Sequence, residues 1–267
     1  MDQRSFEDID DLVSSPVEFH VIARPNFLID NVRQFLGNEN TFWNHDPEAS
    51  HPELLVEVAG RLCYMSFGNK QRRRDNKSYI GHLISEGHES VLEHATWSLL
   101  ITGVSRAFTH QLVRHRIGFS YSQLSQQYHD ESDARFVIPE EIRAAPEALK
   151  TWAESMRNAR KAYRDLLSQL IPEQKIGERE GNRALRSAAR SALPNCTETK
   201  IVVTANARSL RHFLSVRGAI VGDLEMRQVS VKLLETLKSE APSLFSDFFT
   251  EKFSDGFLIV KKAPPAV

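Results

Sequence analysis

From residue 146 to residue 170 the chain carries apolar residues at helical spacing, with no glycine and no proline after the first position. A stretch that long and that amphipathic folds only against another surface, because its apolar stripe must be covered while its polar face meets water. The rest of the chain does not share that period throughout. Val17, Phe19 and Val21 alternate with Glu18 and His20, the two-residue period of a half-buried strand, which Pro25 ends. Residues 96–102 and 200–204 read as further strands. Helices are expected over 52–64, with Leu55, Val58 and Leu62 on one stripe, and over 76–87, 106–116, 182–192, 207–217 and 224–237. The polar run NKQRRRDNK between the first two of these reads as a loop, either a solvated charge run or a segment near a site. The expected architecture is therefore α+β, a mixed β-sheet with long helices. Its core is a single domain over 16–260, with a flexible N-terminal segment over 1–15 and a tail over 261–267.

With 267 residues, 41% of them hydrophobic and 26% charged, the chain can bury a sizeable core. A net charge of -1 argues against a broad nucleic-acid or membrane-surface face, which would need an uncancelled basic surface. No apolar run approaches the length of a membrane helix, and the start MDQRSFEDID lacks the basic and apolar regions of a signal peptide. A cytoplasmic protein is expected. Cys63 and Cys196 make neither a zinc spacing nor a disulfide framework. There are only 12 glycines, and neither GxGxxG nor GxxxxGK[ST] occurs. A dinucleotide bound here must have its phosphates met by side chains.

The side chains that could do so fall in clusters. Ser105 is a candidate N-cap for the helix over 106–116, on which Gln111 and Arg114 share a face. A guanidinium offers a rigid fork of donors to phosphate, and a carboxamide both donates to and accepts from the edge of a ring. The triplet Arg114-His115-Arg116 reads either as an anion site or as a solvated helix end that complements the dipole. On the helix over 207–217, Leu210, Phe213, Leu214 and Arg217 follow one stripe, so Arg217 stands where an apolar residue would continue it. A cation there is functional, or it snorkels from the helix end, or it pairs with Asp223 or Glu225. Arg183, Arg186 and Arg190 share a face of their own helix, fit either to grip a phosphate or to form exposed ion pairs. The block HESVLEH lacks the paired spacing of a helical zinc site, so no metal is expected.

Arg114-His115-Arg116 followed after eight residues by Ser125 resembles the signature of the flavin-dependent thymidylate synthases, whose spacer is usually one residue shorter; Gly118 or a neighbour is the extra one. GHESVLEH, RSALPNCTETK and NARSLRHFLSVR with Glu225 and Arg227 agree with the same family and come in its order. The resemblance implies the thymidylate synthase-complementing protein fold, a homotetramer with sites shared between chains, and conversion of dUMP to dTMP. It also implies FAD as cofactor, with NADPH and 5,10-methylenetetrahydrofolate as cosubstrates. Arg217 matches the arginine that polarises the uracil ring. Gln111, Arg114, Gln123, Ser125, Gln126, Gln127 and Arg190 match dUMP-binding positions. His88, Ser90, Arg114, His115 and Arg116 match flavin-binding positions, as do Gln123, Asn206, Arg208 and His212. At Gln127 the chain departs from the family, which commonly has arginine there. No protein thiolate is implied, since neither cysteine has a base beside it in the sequence. The other reading is a flavin- or nucleotide-binding regulatory protein that keeps the fold without methyl transfer.

Overall fold

The structure, a computed structural model, describes residues 9–73, 75–170 and 179–264. Its elements run β1 (Glu18–Ala23), α1 (Ile29–Asn38), α2 (His51–Leu62), α3 (Asn76–Ser85), β2 (Thr96–Ser105), α4 (Arg106–Leu112) and β3 (Phe119–Gln123). They continue with α5 (Glu140–Arg143), α6 (Pro146–Leu170), α7 (Arg179–Ala189), β4 (Glu198–Asn206), α8 (Ala207–Arg217), α9 (Leu224–Glu240), β5 (Phe248–Lys252) and β6 (Leu258–Lys262). Four strands form one sheet in the order β1-β2-β4-β3, and β5 pairs antiparallel with β6, Phe248 opposite Lys262 and Lys252 opposite Leu258. The class is α+β.

The described residues divide into two compact units, one from within 1–18, 101–114 and 121–202, the other from within 19–100, 115–120 and 203–267. In the first unit, α6 buries Leu149, Trp152, Ala153, Met156 and Tyr163. The first four pack in a cluster with Phe136, Ile138, Ala134 and Leu12, and Trp152 meets Phe136 edge to face. Leu12 is wholly buried there and Val13 bridges Phe136, so the expectation of a flexible segment over 1–15 fails from residue 9 onward; residues 1–8 lie outside the described ones. An apolar side chain that completes a core is held by the area it removes from water.

In the second unit the stripe of α2 is not the one its leucines suggest. Leu55 and Val58 are half-buried and Leu62 is exposed, whereas Glu53, Glu57, Gly60 and Arg61 are buried. The reason is a buried, hydrogen-bonded polar core. Arg61 Nε donates to Glu57 Oε1 at 2.7 Å, Trp43 Nε1 donates to the same oxygen at 3.0 Å, and Asn76 Nδ2 donates to Glu57 Oε2 at 2.8 Å. Glu53 accepts from the backbone N–H of Ser50 at 2.9 Å and of Ser243 at 2.6 Å. Removing either Glu57 or Arg61 alone would strand a buried charge, at a cost of about 3–5 kcal/mol.

Some boundaries also move in ways that matter for the candidate site or the chain ends. The helix capped by Ser105, whose Oγ accepts from Phe108 N at 3.0 Å, stops at Leu112 rather than Arg116. Arg114 N turns to the Gln111 carbonyl, and Gly118, at φ +71°, carries the chain into β3, so Gln111 and Arg114 do not share a helical face. Arg190 lies just past α7, in a short 3-10 turn over Arg190–Ala192. Strand β6 includes Lys261 and Lys262, which ladder with Phe249 and Phe248, so these two do not belong to the tail expected over 261–267; residues 265–267 lie outside the described ones.

Candidate functional site

In the second unit, α8 and the turn before β3 are joined. Asn206 caps α8, its Oδ1 accepting from Ser209 N at 2.9 Å, and Ser209 Oγ donates to the Ile117 carbonyl at 2.8 Å. Gly118 lies so close that a Cβ there would sit 2.1 Å from Ser209 Oγ and 2.8 Å from Asn206 Nδ2. Only glycine meets both conditions, the positive φ and the close approach. The longer spacer after the basic triplet is thus absorbed in a turn fastened to the helix N-terminus.

That turn sets His115 against α8. Arg217 Nε donates to His115 Nε2 at 3.1 Å, and the imidazole packs on Phe213 with ring centroids 5.2 Å apart and on His212 at 6.1 Å. A nitrogen that accepts carries no proton, so the hydrogen bond assigns His115 the neutral Nδ1–H tautomer. Burial pushes the His115 pKa below its ordinary value, and the charges of Arg217 and His212 push it the same way. The structure brings together His115, His212 and Arg217, and sets Asn206 at the other end of the same helix. Arg208 instead pairs with Glu93 and, at 3.8 Å, with Glu89. Arg116 is exposed.

His88 and Ser90 stand apart from that cluster, in the wall of a cavity of about 660 Å³. Tyr79, Leu83 and Val91 give it an apolar floor, and Lys70, Arg72 and Arg73 a cationic side. Its size and mixed lining are those of a site for a ring-bearing ligand. The residues fit a flavin in this respect: flat apolar surface beside hydroxyl and imidazole donors.

In the first unit, Gln123 Nε2 donates to Thr109 Oγ1 at 3.0 Å and to Thr199 Oγ1 at 3.2 Å, which orients its carboxamide. Ser125 closes a turn, its Oγ accepting from Gln127 N at 3.3 Å and its carbonyl from His129 N at 2.9 Å. Gln126 is buried, Gln111 half-buried and Arg114 exposed. Gln127 faces α7: its Oε1 accepts from Arg183 Nε at 3.2 Å, and its Nε2 donates to Ser187 Oγ at 3.4 Å. The Arg183 guanidinium lies 5.5 Å over the Tyr128 ring. Burial lowers the Arg106 pKa; Glu131 opposes the shift and Arg190 adds to it, which places Arg190 within electrostatic reach of that pair.

Residue spacing left two features open between a site and a solvated surface. The tie from Gln127 to Arg183 crosses a long separation in sequence, though the arginine stripe of α7 was the signal for it. The cationic cavity wall lay in the NKQRRRDNK run, whose charges hid the burial of Gln71, bonded through its carboxamide to Asn44 N at 3.1 Å and to the Asn44 carbonyl at 2.7 Å. Cys63 bonds the Ala59 carbonyl of its own helix, and Cys196 packs with its sulfur 3.3 Å from Met156 Sδ. Among the described residues no three His, Cys, Asp or Glu side chains gather as a metal site.

Residues 47–243 match the family model described as thymidylate synthase complementing protein. A flavin-dependent thymidylate synthase from Mycobacterium sp. (strain KMS) is 41% identical over 250 residues, covering 91% of this chain and 94% of its own length. One from Corynebacterium efficiens is 44% identical over 217 residues, covering 79% and 85%, and one from Mycobacterium leprae is 40% identical over 230, covering 84% and 89%. The chain belongs to this family, the flavin-dependent thymidylate synthases.

Proposed function

We propose that the protein makes dTMP by reductive methylation of dUMP, with FAD as cofactor and NADPH and 5,10-methylenetetrahydrofolate as cosubstrates. It works in the cytoplasm, as a homotetramer with the thymidylate synthase-complementing protein fold. Among the described residues no helix is long and apolar enough to cross a membrane. The observation that carries the reading is the Arg217–His115 pair within a chain of this family.

The chemistry asks for a carbon nucleophile at C5 of a uracil ring and for two electrons, because a methylene carbon at the formaldehyde level must become a methyl group. Bound FAD supplies the route for those electrons from NADPH. The residues of the chain bind and polarise. The positive charge of Arg217 stabilises the negative charge that the ring takes on as C5 becomes nucleophilic. His115, by accepting the Nε hydrogen, fixes the plane of the guanidinium and, being neutral, adds no opposing cation. Ser125, Gln126, Gln127 and Arg190, with Gln111, Arg114 and Gln123, hold dUMP. His88, Ser90, Asn206, Arg208 and His212, with the basic triplet, hold the flavin.

The test is direct. Purified protein given FAD, dUMP, 5,10-methylenetetrahydrofolate and NADPH should form dTMP, and NADPH should bleach the flavin band faster when dUMP is present. Flavin binding without dTMP would instead support a regulatory role, and no FAD uptake at any concentration would end both readings.

A further inference from the structure

The cavity of the second unit has one wall that the flavin-binding positions do not account for. Lys70, Arg72 and Arg73 line it, and no acidic side chain does among the described residues. No ion pair or hydrogen bond of these three side chains occurs among the described residues either, although most other exposed cations of the unit, such as Arg24, Lys232 and Lys261, have carboxylate partners. The segment that bears them is nonetheless anchored. Arg61, itself buried and stacked 4.2 Å over the Tyr79 ring, donates to the Ser66 carbonyl at 3.4 Å and to the Arg73 carbonyl, while Gln71 clasps Asn44 from both ends of its amide. Arg61 thus spends its donors on backbone and on Glu57, and leaves the ligand-facing charge to its neighbours.

Three cations held at the edge of an apolar cavity suit a flat ring carrying phosphate. Arginine favours phosphate by its paired donors, and a partly enclosed cavity strengthens each contact. We propose that Lys70, Arg72 and Arg73 form the phosphate-binding wall for the pyridine dinucleotide, and that they select NADPH over NADH by its 2′-phosphate. This rests on the reductive reading above. The shared chemistry, an anionic group on a ring-bearing ligand, is also offered by the glutamyl tail of the folate and by the pyrophosphate of FAD, so the test must separate the three.

Arg72→Ala/Arg73→Ala keeps the backbone carbonyl that Arg61 grips, and Lys70→Gln/Arg72→Gln keeps side-chain bulk should the first variant fold poorly. With each variant loaded with FAD, the dissociation constants of NADP+ and NAD+ are measured by calorimetry at two salt concentrations, those of mono- and pentaglutamyl folate likewise, and that of FAD on the apoprotein. The expected result is a rise of about tenfold or more in the NADP+ constant, with weaker salt dependence, and little change for NAD+, either folate or FAD. An unchanged NADP+ constant in a folded variant overturns the proposal, as does a loss confined to FAD or to pentaglutamyl folate, which would give the wall to that ligand. If the unaltered protein binds NADP+ through this wall but forms no dTMP, the catalytic reading fails while this one stands.

Discussion

Arg217 and His115, a hundred residues apart in the chain, share one hydrogen bond in which the guanidinium donates and the imidazole accepts. The direction of that bond makes His115 neutral and ties the orientation of the one to the protonation of the other.

The pair therefore has a pH signature. The His115 pKa is lowered in the folded protein by burial, by Arg217 and by His212, so between that value and the ordinary one near 6.5 the unfolded chain binds more protons than the folded one. Stability contributed at this site is present above pH of about 6.5 and is lost as pH falls toward and through the folded value. An NMR titration of the His115 ring should show a midpoint below 6.5 in the unaltered protein, rising in Arg217→Ala. A midpoint that does not move on losing Arg217 would contradict the pairing.

Arg217→Ala should retain FAD and lose dTMP formation by about a hundredfold or more, the scale of removing one preorganised charge-stabilising group. Turnover under saturating substrate with a matched FAD content is the measurement. A near-normal rate would make Arg217 a structural arginine.

Gly118→Ala should destabilise the protein by about 2–4 kcal/mol, combining the strain of a left-handed alanine with overpacking against Ser209 Oγ. Chemical denaturation measures it. Ser209→Ala added to this variant should recover part of the loss, the overpacking part, and leave the backbone strain; a double variant no more stable than the single one would show that the clash is not with Ser209.

The family resemblance alone would make Gln127 a lost charge, to be restored by arginine. The Gln127 carbonyl instead holds a cation, Arg183, at 3.2 Å. Arg183→Ala should weaken dUMP binding by about tenfold or more, the loss of a charge-assisted contact, whereas Gln127→Arg should give no gain, since it replaces an acceptor for Arg183 by a like charge. Titrations of dUMP against the flavin signal distinguish the two, and a clear gain in Gln127→Arg would restore the simpler view.

The elements most legible in the sequence were those set by local chemistry. The bounds of α6 and α8 follow from apolar period and from caps or prolines at their starts, and those residues lie where the spacing puts them. Strand β3 was missed because it is only five residues of mixed hydroxyl, amide and aromatic side chains, and the hairpin β5–β6 was missed although Asp255-Gly256, with Gly256 at φ +89°, was the turn signal that could have found it. The buried stripe of α2 was misassigned for a different reason: its inward face is charged, and hydrophobic period is blind to carboxylates and guanidiniums that neutralise one another. At the site, the resemblance named His115, His212 and Arg217 one by one; that they lie together, and that His115 accepts from Arg217, needed geometry. The role of Arg183 toward Gln127 needed it as well.

Arg61 has a consequence for kinetics as well as for shape. By fastening the Ser66 and Arg73 carbonyls it completes the ordering of this stretch of chain when the protein folds, before any ligand arrives. A molecule entering the cavity then meets a rigid rim and forfeits little chain entropy on binding, so differences in affinity among such molecules should be felt chiefly in how long each one stays.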